Sequence, residues 1–294
     1  MIEVDKKAAE ELRQRALLCV RRNELETALG LYDQALAAAC DEELRELITI
    51  NKADVLIAME QTTGEVQKLP AIVMRRRNPH HTFLAAYALT YKHRLQNDVK
   101  RGIFYAQIAL DTALEAKEPL WELGAYNELG GLYEIDGDFA KAIASFDRAL
   151  DLVSHVVDSA EQNLSRGAAL QNLGASTMLN GDVEAGLALI HQALPLIVSP
   201  SSLAEAYIDL CYGYIEQDKL EEARQWGEMG LDLASENRQV RNAHYLLGEA
   251  AYKSGNLEVA EFHFGKLARF YPNFKHLKHL LLAVDLRSMV NLKA

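Results

Sequence analysis

A phrase of fourteen residues recurs in this chain. Residues 129–142 read Leu-Gly-Gly-Leu-Tyr-Glu-Ile-Asp-Gly-Asp-Phe-Ala-Lys-Ala, and their frame of small and apolar positions returns at 173–186, 210–223 and 247–260. A period of this size constrains the fold more than any compositional property does. It builds an array of stacked supersecondary units, none of which can bury its hydrophobic face alone. Such arrays present extended surfaces, which favour binding over catalysis.

The units are helical hairpins. In the clearest copy Leu123, Tyr126, Leu129, Gly130 and Tyr133 recur at spacings of three and four, and so do Phe139, Ala142, Ile143, Phe146, Ala149 and Leu150. That period puts each set on one face of a helix and excludes strands. Gly137 suits the left-handed residue that ends a helix, and Asp138 suits the cap of the next; Gly181-Asp182 and Gly255-Asn256 repeat the pair. Elsewhere the turn reads Asn23-Glu24, Gly64-Glu65, Asn97-Asp98 and Asp218-Lys219. Asn and Asp tolerate the left-handed backbone best when Gly is missing.

The turns start at residues 23, 64, 97, 137, 181, 218 and 255, so seven hairpins nearly fill the chain. Five residues beyond the turn stand Ala28, Gly102, Ala142, Gly186, Ala223 and Ala260, a fixed offset that suits close approach of paired helices. The second repeat has Leu69 there, next to Pro70, which predicts an irregular second helix. Residues 274–292 form a further amphipathic segment expected to cap the array. The resulting expectation is an all-α, right-handed α-solenoid, a single domain over 1–294. Its helix pairs lie near 5–40, 42–77, 79–116, 119–156, 160–197, 201–235 and 237–271.

The pattern resembles the tetratricopeptide repeat (TPR) family. That family has Leu-Gly-x-x-Tyr in the first helix and Gly-Asp-Tyr at the turn, followed by spaced Ala and aromatic positions. Leu129, Gly130, Tyr133, Gly137, Asp138, Phe139, Ala142, Phe146 and Ala149 carry the match, and residues 241–272 repeat much of it, with Pro272 as terminator. In length the units are similar to those of MalT-like bacterial regulators and kinesin light chains. The resemblance implies a non-enzymatic interaction module. Some members clamp a C-terminal carboxylate with Lys and Asn on neighbouring first helices; Asn127 occupies one such place, but the lysines are absent, which disfavours a chaperone-tail binder.

In such a stack the first helices line the concave side. Positions ten and six before each turn face it: Arg13/Leu17, Asp54/Ala58, Tyr87/Tyr91, Asn127/Gly131, Gln171/Ala175, Ile208/Tyr212 and Tyr245/Glu249. The candidate ligand-binding residues are therefore Tyr87, Tyr91, Arg94, Asn127, Gln171, Tyr212 and Tyr245. Tyr supplies contact area at low entropic cost, and Asn or Gln can pair with a peptide backbone. Tyr87 and Tyr91 also fit a second reading, as packing between adjacent helices. Arg94, one turn further on, sits in the one basic stretch: residues 66–105 hold Lys68, Arg75, Arg76, Arg77, Lys92, Arg94, Lys100 and Arg101 against the single acid Asp98, in a chain of net charge −11. An acidic peptide or other anion is the guest this arrangement predicts.

Other chemistry lacks a signature. There is no P-loop, GxGxxG, HExxH or GxSxG, so no enzyme activity and no cofactor are expected. His276 and His279 have metal-chelating spacing but lysine neighbours and no helping carboxylate, and His80 and His81 cannot converge from a helix, so no metal site is expected. The three cysteines are scattered; Cys211 takes the slot that holds Gly130, Gly174 and Gly248 in other copies and reads as a small packing residue. No apolar run spans a membrane and no secretory layout opens the chain, so a cytoplasmic protein is expected. Two alternatives to a peptide module stand beside it: a ligand-sensing domain of a bacterial regulator, and phosphate or nucleic-acid binding through 66–105. The overall acidity makes the latter the weaker. Affinity falling steeply with added salt is the behaviour that separates nucleic-acid binding from peptide capture.

Overall fold

The turn residues and helix faces of the sequence reappear in a computed structural model, which describes residues 2–271 (side chains from residue 6). The expected capping segment 274–292, with Pro272, His276 and His279, lies outside the described residues. Every described element is helical: α1 (Ile2–Arg21), α2 (Leu25–Ala38), α3 (Glu42–Ala58), α4 (Leu69–Arg75), α5 (Pro79–Leu95), α6 (Val99–Ala116) and α7 (Pro119–Asp136). There follow α8 (Phe139–Leu152), α9 (Ser159–Leu179), α10 (Val183–Ala193), α11 (Pro200–Glu216), α12 (Leu220–Leu233), α13 (Asn237–Lys253) and α14 (Leu257–Lys266). Packing divides the chain within α7 into two units, Met1–Leu132 and Tyr133–Ala294. In both, consecutive helices pack as antiparallel neighbours, α1 on α2 and α5 on α6 in the first, α9 on α10, α11 on α12 and α13 on α14 in the second.

One turn geometry does most of the connecting. Asn23, Asn97, Gly137, Gly181, Asp218 and Gly255 all have positive φ. In each turn the next amide donates back to a carbonyl five residues earlier: Glu24 to Cys19, Asp98 to His93, Asp138 to Tyr133, Asp182 to Thr177, Lys219 to Tyr214 and Asn256 to Ala251. This closure satisfies carbonyls that the ending helix leaves orphaned. Asp98, Asp138, Asp182 and Asn256 then accept from the first free amides of the following helix, as their residue types predict.

The second repeat differs. Both Glu60 and Gly64 have positive φ: Glu60 follows the end of α3 at Ala58, and Gly64 opens a short 3-10 turn over Gly64–Lys68. Pro70 has no amide hydrogen and a fixed φ, so it fits only the first turn of a helix, and α4 starts there with seven residues.

The small residues at the fixed offset are all buried. A Cβ on Gly174 of α9 would lie 2.8 Å from the Gly186 carbonyl oxygen of α10, so the two backbones touch where side chains would otherwise keep them apart. Cys211 is fully buried, and its sulfur would lie 3.0 Å from a Cβ on Gly227; burial raises its thiol pKa, as befits a packing residue. Gly174→Ala should therefore cost about 1–3 kcal/mol by overpacking. Gly131→Ala, with open space around its would-be Cβ, should gain up to about 1 kcal/mol from helix propensity. Thermal unfolding followed by circular dichroism tests the pair, and equal effects would mean that backbone contact does not hold the hairpin.

Candidate functional site

The face of interest belongs to the first unit, where α1, α3, α5 and α7 lie side by side. Arg13 of α1 donates to Asn51 Oδ1 of α3 at 3.0 Å. His81 of α5 pairs with Glu46 of α3 at 3.0 Å. Phe83 of α5 stacks on Trp121 of α7, with ring centroids 4.8 Å apart. Along α5, residues 80, 83, 87, 91 and 94 recur at three and four, which puts them on one stripe.

That stripe begins with aromatic rings. His80 stacks on Trp121 at 5.4 Å, Trp121 on Phe83, and Phe83 packs against Tyr87 at 5.7 Å. Gly124 leaves room for Tyr87, whose ring would lie 3.4 Å from a Cβ there. Tyr87 is half-buried, and burial, reinforced by the charge of Glu128 beside it, raises its hydroxyl pKa. Tyr87 thus packs against α7 and Phe83 while part of it stays open to solvent.

Arg94 continues the stripe. Its guanidinium lies 5.2 Å over the Tyr91 ring, and Nε is 3.4 Å from Glu128 Oε2. The pair is close but poorly aligned, so both atoms are buried without a hydrogen bond. Leaving a buried polar atom in that state costs about 1–3 kcal/mol. Burial raises the Glu128 pKa and Arg94 opposes the rise. The neighbouring Asn127 Oδ1 is buried and unpartnered as well. At the other end Arg13 is locked by two bonds to Glu10, at 2.6 and 2.8 Å, which raise its pKa and lower that of Glu10. Asp54 of α3 is exposed, yet loss of hydration raises its carboxyl pKa.

The structure sorts the expected site residues into two groups. Tyr87, Tyr91, Arg94 and Asn127 lie on adjacent helices of the first unit. In the second unit Gln171 is only 5% exposed, and Tyr245 is 8% exposed and packed beside Phe264 in the core. Tyr212 is half-buried against two core clusters. Sequence reasoning missed Trp121, His80 and Glu128; extending the Asn127/Gly131 stripe back to the first turn of α7 finds Trp121.

The basic stretch also changes meaning. Lys68 pairs with Glu65, Arg75 with Glu46, Arg77 with Glu42, Arg94 with Glu128 and Arg101 with Asp98. Five of its eight cations therefore have a carboxylate within 4 Å, mostly from outside the stretch, and the excess seen along the sequence is largely cancelled in space. Among the described residues no group of three or more His, Cys, Asp or Glu could hold a metal ion, and no helix is long and apolar enough to cross a membrane.

Residues 123–152 match the family model for the tetratricopeptide repeat. No curated protein matches the chain. Among solved structures, it is similar to the apo form of the quorum sensor NprR from B. thuringiensis, with TM-score 0.73 at 17% identity, covering 94% of this chain and 81% of that one. NprR in complex with its cognate peptide NprX gives TM-score 0.70 at 19% identity, covering 98% and 85%. A tetratricopeptide repeat protein from Parabacteroides merdae gives 0.59 at 14% identity, covering 97% and 100%. At these identities the likeness establishes the fold, an all-α helical repeat solenoid.

The aromatic stack gives a direct optical test. With Trp226→Phe, Trp121 becomes the sole indole. Burial, then the positive charge of neighbouring His81 and Arg13, holds the His80 pKa below the ordinary histidine value. Quenching of Trp121 emission by protonated His80 should set in only below the usual imidazole range and vanish in His80→Ala. Emission indifferent to both changes would mean that the rings do not stack.

Proposed function

We propose that this helical repeat chain, one of whose repeats matches the tetratricopeptide model, is a non-enzymatic interaction module holding a peptide or partner segment against the first helices of its first unit. The observation that carries the reading is the row His80, Trp121, Tyr87, Tyr91 and Arg94, an aromatic surface backed by the buried Phe83 and flanked by the unpartnered amide oxygen of Asn127. Aromatic rings give area without much side-chain entropy to lose, and Asn127 can accept from a peptide amide. The crossing from α1 to α7 is three interhelical steps, about 27 Å, a distance that about eight extended residues span.

The acidic guest expected from sequence loses its basis, because Arg94 already faces Glu128 and most of the basic stretch is paired. The same pairing argues against nucleic acid. A sensing role is the second reading, favoured by the fold shared with NprR, a quorum sensor solved with a cognate peptide.

A randomised octapeptide library passed over the immobilised full chain tests the module reading. Some peptides should be retained, and Tyr91→Ala should weaken them at least about tenfold. Phe104→Ala, on the exposed side of α6, should leave them unchanged. No retention, or equal loss in both variants, would falsify the groove.

A further inference from the structure

The peptide-groove reading leaves open what chemistry the guest must bring, and the hydrogen-bond inventory of the first unit narrows it. Both cations of the face stand beside a carboxylate: Arg13 is bonded to Glu10, and Arg94 Nε lies 3.4 Å from Glu128 Oε2. Asp54 has no such counterpart: its side chain, one helical turn beyond Asn51, has no ion pair or hydrogen bond among the described residues. Asn127 Oδ1 is buried and unbonded. Asp54 is thus the carboxylate of this face whose charge no cation offsets.

Resting on that reading, we infer that the groove takes a peptide bearing a positive group, an ammonium or a guanidinium, set against Asp54, with main-chain N–H groups offered to Asn127. Charge complementarity carries the choice. An acidic segment would set its charge beside Asp54, which no cation offsets. A wholly apolar segment would cover the aromatic row yet leave the Asp54 carboxylate stripped of water and unpaired, which disfavours it. From α3 to α7 is two interhelical steps, about 18 Å, so the positive group and the amides that meet Asn127 stand about five or six extended residues apart. The positive group can be a Lys or Arg side chain or the peptide's own amino terminus.

The test compares three versions of one lysine-containing octapeptide retained by the full chain, each carrying a C-terminal fluorophore. One is unmodified, one has its amino terminus acetylated, and one has lysine replaced by norleucine. Fluorescence anisotropy should show at least about tenfold weaker binding for the version that loses the critical charge. Acetylation identifies the terminus as the source and norleucine identifies the side chain. Asp54→Asn should reduce that preference to about twofold or less while leaving the neutral version's affinity unchanged, and Asp54→Glu should restore it. Equal binding of all three versions, retention of acidic peptides alone, or a preference that Asp54→Asn does not move would overturn the inference. In those cases continued sensitivity to Tyr91→Ala would leave the groove itself standing. Absence of any retained peptide would sink both.

Discussion

Backbone-to-backbone contact between paired helices is what the rest of this structure depends on. At the crossing of α9 and α10, Gly174 and Gly186 bring carbonyl oxygens to where side-chain carbons would otherwise be. Ala28, Ala142, Ala223 and Ala260 supply the same economy of volume elsewhere, each fully buried. A contact this close requires the chain to reverse tightly, and the left-handed residue followed by a capping residue does so while satisfying the last carbonyls of one helix and the first amides of the next. Close packing and turn chemistry are therefore two halves of one device. Together they give each first helix one face against its partner and a different face toward its neighbours in the stack.

That geometry explains why chemistry collects on α1, α3, α5 and α7. First helices in series carry residues from four separate stretches of sequence to one surface, and no single stretch holds a recognisable site. Arg94 meets Glu128, His80 and Phe83 meet Trp121, and Arg13 meets Asn51 only because three helix pairs have packed in order. The surface is crowded enough to strip hydration from Asp54 and Glu128 and open enough to leave the tyrosine edges wet.

Much of the fold was legible before any coordinates. Asn23, Asn97 and Asp218 stand where other turns have Gly, and all three adopt the left-handed backbone that their side chains tolerate. Pro70 marked the second repeat as irregular, though the helix end fell at Ala58, ahead of the Gly64 that signalled it, because Gly64 was needed for a 3-10 turn. The candidate site residues divide in space. Tyr87, Tyr91, Arg94 and Asn127 sit together, whereas Gln171 and Tyr245, chosen by the same positional rule, are buried in the second unit. Helical phase tells which way a residue points from its own axis; it does not tell how closely the next helix will cover it.

The charge pattern shows the division most clearly. Read along the sequence, residues 66–105 are a basic patch; read in space, Arg75 and Arg77 are answered by Glu46 and Glu42, which lie 29 and 35 residues away. Helix, turn and facing were fixed by the sequence itself, since they depend on sterics and periodicity within about one helical turn of each residue. Which carboxylate meets which cation, which aromatic ring stays exposed and which acceptor goes unpaired were decided by tertiary structure. Those outcomes turn on distances of a few ångströms between helices that the chain brings together only after its local structure has formed.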